Sequence, residues 1–176
     1  MATPTTLPAS FVAGSVLTAA EMNDLRGAFR VLQVVSTTLT TPFTSSSTSM
    51  TQITGLSVSI TPSSTSSKIL VIAHINGTND VAVEGMYLQL QRDSTAIAVG
   101  TGGSQNYSTS LYEPTSNAFI VTNASVTVLD SPATTSAITY ALYGKNPTAA
   151  TFYINRTKAS SVVRYASTIT VMEISA

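Results

Sequence analysis

Hydroxyl side chains cover this chain where charges would normally do so. Its 29 threonines and 25 serines make 54 of 176 residues, while charged residues are only 9%. Soluble domains usually carry about a quarter charged residues. A hydroxyl surface hydrates well, yet it can be buried against another chain without the large desolvation cost of an ion. Threonine is also β-branched and suits the half-exposed face of a pleated sheet. The composition points to a β-protein that packs against copies of itself or against a larger assembly.

The hydropathy pattern agrees from residue 31 onward, where the period is two. Val31 to Thr40 is rich in β-branched residues, and Ile53, Leu56, Val58 and Ile60 alternate with polar neighbours around Gly55, a candidate bulge. Lys68 to Asn76 is apolar on both faces, as a central strand would be. Tyr87 to Arg92 alternates cleanly, and Ala96 to Val99 offers a short hairpin partner. Gly100 to Ser110 reads as a loop, and Phe119 to Leu129, Ile138 to Tyr143, Thr151 to Asn155 and Thr168 to Ile174 complete the set. Eight or nine short strands with turns between them predict a mainly β fold, an antiparallel β-sandwich of jelly-roll type.

Residues 1–30 differ. Pro4 and Pro8 disfavour helix, while Leu7, Phe11, Val12 and Leu17 are too apolar for a solvated tail, so residues 1–17 predict an extended arm that docks on a partner. Thr18 and Glu21 have capping-box spacing, and Met22, Leu25 and Phe29 follow at helical intervals, predicting one short helix with an apolar face. Such a helix is marginal alone and must pack on something. The division is therefore an anchoring segment, residues 1–30, and a β-sandwich outer domain, residues 31–176.

Eight basic and eight acidic residues cancel, and the bases are scattered, so phosphate-backbone binding to nucleic acid is not expected. With no cysteine, disulfides, thiolate nucleophiles and cysteine-ligated metals are impossible. The start lacks the basic and apolar regions of a secretory signal, and no apolar run is long enough to span a bilayer; synthesis in a cytosol is expected. His74 is the single histidine and sits mid-strand, which suits a core or interface role better than a general base. The glycines at 100, 102 and 103 lack the ending of a phosphate loop and the spacing of a dinucleotide fingerprint. Glu113 and Asp130 are the loosest of acid pairs, and no Gly-x-Ser-x-Gly elbow marks a nucleophile, so neither an enzyme nor a cofactor is expected. Asn79, Asp80 and Glu84 fit either a weak calcium site or a solvated loop. Four Asn-x-Ser/Thr sequons, at Asn76, Asn106, Asn123 and Asn155, read as accidents of a hydroxyl-rich composition. Tyr107 and Tyr112, with Tyr87, lie among Ser, Asn and Gln and make candidate surface-recognition residues for sugars or proteins.

The stretch from Pro8-Ala9-Ser10-Phe11 to Glu21-Met22-Asn23 resembles the N-terminal region of many tailed-bacteriophage virion proteins, including minor tail, tail-fibre and head-fibre proteins. Ile53 to Pro62 running into Ser67 to Val71, and the closing Ala166 to Ile174, are similar to the same group. The resemblance implies a virion component, made in the bacterial cytoplasm and carried on the particle surface. It further implies a symmetric oligomer, often a homotrimer, partnered by other capsid or tail proteins through a short N-terminal anchor. The anchoring residues would be Leu7, Pro8, Phe11, Val12, Leu17, Met22, Leu25 and Phe29. A carbohydrate-binding module contacting host glycans through Tyr107 and Tyr112 is the alternative, and a polysaccharide depolymerase a distant third.

Overall fold

A computed structural model of the chain describes residues 30–81, 85–112, 119–159 and 162–175, together with Val16, Thr18, Ala19 and Met22. The fold is mainly β, and every strand pair is antiparallel. In chain order the strands are β1 (Val31–Leu39), β2 (Phe43–Ser45), β3 (Thr51–Ile60), β4 (Lys68–Asn79), β5 (Gly85–Arg92) and β6 (Thr95–Ile97). They continue as β7 (Thr109–Tyr112), β8 (Thr122–Asp130), β9 (Ile138–Lys145), β10 (Phe152–Ile154) and β11 (Ser167–Ile174).

The first sheet is organised around β4. On one side β4 pairs with β11 and then, further along, with β10; on the other side it pairs with β8. The strands β1 and β2 follow the same division, β1 on β11 and β2 on β10. Because β10 and β11 lie end to end along one edge of β4, the sheet is four positions wide: β1 with β2, β11 with β10, β4, and β8. The second sheet is also four wide. Its order is β3, β9, β5, and then β6 and β7 end to end on the free edge of β5.

Alternation decides which face of each strand is buried. Along β4, Ile69, Val71, Ala73 and Ile75 are fully buried, and along β5 so are Met86, Leu88 and Leu90. These residues belong to one continuous apolar cluster that draws on both sheets. Each of the valine, isoleucine, leucine and methionine side chains contributes about 1.5–3 kcal/mol by leaving water, and the Ala73 methyl less.

Two glycines are required by geometry. Gly55 has φ +91° where the β3–β9 register shifts between Gln52 and Ser57, so the bulge expected at this residue is present. Gly77 lies where β4, β8 and β10 meet, and a Cβ there would stand 2.8 Å from the Tyr153 carbonyl oxygen and 3.0 Å from a Leu111 methyl.

Buried polar pins complete the frame. Asn155, fully buried with φ +60°, donates from Nδ2 to the Leu39 carbonyl at 2.6 Å and accepts from the Ser167 hydroxyl at 2.6 Å. The same hydroxyl accepts from the Asn76 N–H at 3.0 Å, tying β1, β4 and β11 together. Asn155 therefore serves as a structural pin, which accords with reading its sequon as accidental. Across the two sheets, Arg92 at the end of β5 and Tyr140 on β9 both donate to Asp130 Oδ2 at the end of β8, each at 2.7 Å. Burial first, and then the bond to Asp130, pushes the Tyr140 phenol far above its ordinary value, so it stays a donor.

The structure departs from the sequence reading in several places. β2 and β7 occupy stretches not read as strands, so the described residues form eleven strands in place of eight or nine. β4 runs three residues beyond Asn76, and β8 begins at Thr122 instead of Phe119. Of the core and interface roles expected for His74 the core one does not hold, since the residue is exposed on the outward face of β4. Of the expected helix, Ala19 and Met22 are helical, and the Met22 N–H donates to the Thr18 carbonyl at 3.0 Å. Leu7, Pro8, Phe11, Val12, Leu17, Leu25 and Phe29 lie outside the described residues.

Gly77→Ala is expected to lower stability by about 1–3 kcal/mol, because a backbone oxygen cannot move aside for the added methyl. Urea denaturation should show the reduced midpoint, with the sheet content of the remaining folded protein unchanged.

Candidate functional site

The outward face of the first sheet is the most unusual surface among the described residues. Register sets Val34 of β1 opposite Met172 of β11, Met172 opposite Leu70 of β4, and Leu70 opposite Leu129 of β8. One apolar row thus crosses all four strand positions of the sheet, and its ends, Val34 and Leu129, are 55% and 56% exposed. The next row contains Ser36, Thr170, Ile72 and Thr127, and the third contains Thr38, Thr168, His74 and Ser125. Apart from Lys68, whose ammonium donates to the Ser131 hydroxyl at 2.8 Å, these rows hold hydroxyls, apolar groups and one imidazole. Burying such a face removes apolar surface from water and strands no carboxylate or guanidinium.

One end of this face is also where residues 1–29 join the body. The Arg30 N–H donates to the Ser175 hydroxyl and the Ser175 N–H to the Arg30 carbonyl, both at 3.0 Å. Beside them Glu173 is fully buried. Its Oε1 accepts from the Ser63 N–H at 2.7 Å and the Ser63 hydroxyl at 2.6 Å, while Oε2 accepts from Gln33 Nε2 at 2.6 Å. Burial alone would raise its pKa, but donors from Ser63, Ser67 and Gln33 outweigh that and hold the carboxyl below its ordinary value. Among the described residues no cation pairs with it; hydroxyls and amides do the work here as they do on the surface. The cage fixes β1, the first strand after the N-terminal segment, to β11 and to the 61–67 turn.

The candidate recognition tyrosines are placed as follows. Tyr107 does not stand free in its loop: its ring stacks on Tyr87 of β5, with centroids 4.4 Å apart and planes 7° apart. Lys145 Nζ lies 5.4 Å from the centre of the same ring and donates to Gln105 Oε1, which also accepts from the Tyr107 hydroxyl. Tyr112 is 49% exposed at the end of β7, paired in register with Gly85, and so projects from the same outward face of the second sheet as Tyr87, one row along.

Other expected chemistry finds a structural occupation. Asp80 Oδ1 accepts from the Thr151 N–H at 2.7 Å and Asn79 Oδ1 from the Val81 N–H at 3.0 Å, while Glu84 lies outside the described residues. Among the described residues no group of three His, Asp or Glu is placed to hold a metal ion. Glu113 also lies outside them, and Asp130 is engaged by Arg92 and Tyr140. No helix among the described residues is long and apolar enough to cross a membrane. Comparison with protein-family models finds no match, and no curated protein matches the chain.

A carboxylate whose folded-state pKa is depressed stabilises the fold above its unfolded pKa and loses that contribution as pH falls through the folded value. Acid unfolding should therefore include protonation of Glu173, below the ordinary value of 4.5. Glu173→Gln should cost about 2 kcal/mol at neutral pH, since hydrogen bonds to a buried charge are lost. Its stability should also fall less steeply below pH ~4 than that of the wild type; chemical denaturation across a pH series reads both.

Proposed function

We propose that this protein is a structural component of a bacteriophage virion, seated on the particle through residues 1–30 and exposing a jelly-roll β-sandwich as a symmetric oligomer. The observation that carries this reading is the apolar row Val34, Met172, Leu70 and Leu129, set in a field of hydroxyls on the outward face of the first sheet. A face of that composition gains by being covered, and a second copy of the chain offers a matching face of the same kind.

Two further features support the proposal. The strand order supports the jelly-roll reading: with β1 and β2, β6 and β7, and β10 and β11 each counted as one, the sheets run first, eighth, third, sixth and second, seventh, fourth, fifth. That architecture recurs in viral capsid and lectin domains, so it suits the reading without deciding it. The junction at Arg30 and Ser175 also lies at the opposite end of β4 from the loops that follow Asn79 and precede Phe152. An anchor at residues 1–30 would then hold one end of the body on the particle and leave the other end outward.

Leu70→Asp should convert the oligomer to a monomer of 18.3 kDa by light scattering, with the fold retained. A wild-type protein that is already monomeric would remove the main support. Deleting residues 1–30 should leave a folded body that no longer attaches to particles assembled without the protein; attachment by that truncation would overturn the anchor assignment.

A further inference from the structure

Six strands stand at the margins of the two sheets, and all but one carry a feature that keeps a further strand away. β2 and β6 are three residues long and β7 is four. β1 is bulged between Val31 and Gln33 and lies against β3, which is itself bulged at Gly55. Short length and bulges are the usual protections of a sheet edge. β8 has neither: its nine residues, Thr122 to Asp130, pair with β4 in one unbroken register. It also lacks lysine, arginine and proline, the other common protections. Only the four-residue β7 flanks it, and β7 pairs with β5.

The far side of β4 shows which backbone groups of β8 face outward. The Asn76 N–H donates to the Ser167 hydroxyl, and the Asn76 carbonyl accepts from the Asn155 N–H. Both groups therefore point toward β10 and β11 and away from β8. The next carbonyl, of Gly77, faces β8 and accepts from the Thr122 hydroxyl at 3.2 Å. Asn76 stands opposite Asn123, so these two make a pair without mutual bonds. Bonded and unbonded pairs alternate along an antiparallel ladder. Hence Ala124, Val126 and Val128 bond to β4, while the N–H and C=O groups of Asn123, Ser125, Thr127 and Leu129 turn to the outer edge. Among the described residues nothing bonds to these groups.

We propose that β8 is a joint between two copies of the chain, pairing antiparallel with its own equivalent across a two-fold axis to make one continuous sheet. Such a contact is self-complementary by symmetry. With the axis at Val126, Ser125 of one copy faces Thr127 of the other and Asn123 faces Leu129, so every outward N–H and C=O finds a partner. Moving the axis by one residue carries Leu129 or Asn123 past the end of the opposite strand. Toward the core Val126 meets its own equivalent and Ala124 meets Val128, apolar against apolar, while the Ser–Thr pairs exchange hydroxyl bonds outside. Asp130, the one charge on β8, comes opposite Thr122 and is already held by Arg92, so no like charges meet. The joint lies at the edge of the sheet whose face is proposed above to be covered, and it rests on that oligomeric reading. A single ladder covers less than the roughly 1,000 Å² of a lasting interface, so it holds where the faces are packed as well. Being two-fold, it requires an even number of copies.

Residue-resolved hydrogen exchange on the full chain separates the two contacts, because packing on a sheet face puts no bond on an edge amide. In the oligomer the amides of Asn123, Ser125, Thr127 and Leu129 should exchange at least about tenfold more slowly than in the Leu70→Asp monomer. Ser125→Pro removes one edge donor and no bond to β4. The fold should persist, while the mass by light scattering falls and the other three amides lose their protection. The chain has no cysteine, so Ser125→Cys with Thr127→Cys should give a disulfide-linked dimer on air oxidation, bonded pairs lying about 5.5 Å apart at Cα. Ser57→Cys with Ser59→Cys, on the bulged margin β3, should give none. The joint is overturned if the Leu70→Asp monomer protects the four amides equally, if Ser125→Pro leaves the mass unchanged, or if the copies are odd in number. A monomeric wild type overturns the joint and the face packing together; an oligomer whose edge amides exchange freely overturns the joint alone.

Discussion

Every strand of the first sheet takes its register, directly or through one neighbour, from β4. Its twelve residues are bonded along both edges, by β11 and β10 on one side and β8 on the other. A shift of one residue would turn Ile69, Val71, Ala73 and Ile75 out of the core and bring Leu70, Ile72 and His74 in. The imidazole and the neighbouring lysine and asparagine make that alternative costly. At Gly77 three strands come so close that no side chain fits between them. The second sheet is then fastened across the core by apolar packing and by the bonds from Tyr140 and Arg92 to Asp130.

Polar interior groups are handled with unusual consistency. Glu173, Asn155 and Ser167 are all buried, and each is satisfied by hydroxyls, amides or backbone atoms instead of ions. At Glu173 multiple short donors take the place that Arg92 fills at Asp130. The same economy outside leaves a sheet face with nothing to repel a neighbour. The isolated β-bridge between Arg156 and Arg164 stands against this background as a local exception.

Strands with one face in the core were legible from alternation, as β3, β5, β9 and β11 illustrate. β2 and β7 were not, since each is three or four residues at a sheet margin, drawn from hydroxyl-rich stretches with no apolar period. Lys68 to Asn76 looked apolar on both faces, but only one face is: Ile69, Val71, Ala73 and Ile75 fill the core, while Leu70 and Ile72 share the outward surface with Lys68, His74 and Asn76. His74 looked internal because its immediate neighbours are, although strand geometry sends it the opposite way. The row of Val34, Met172, Leu70 and Leu129 joins residues from four separate strands, and the arginine bridge needs the reversal at Asn155. Neither leaves a local signature. The anchoring residues expected on the arm and helix lie mostly outside the described structure, so that part of the reading stands on sequence.

The end-to-end placement of β10 and β11 along a single edge of β4 has an evolutionary corollary. The excursion between them leaves the sheet and returns to the same edge, its base clasped by Asn155, Ser167 and Asn76. Its composition and length can change without disturbing either set of ladder bonds. Foreign peptides grafted there would be presented without disturbing the sheet beneath.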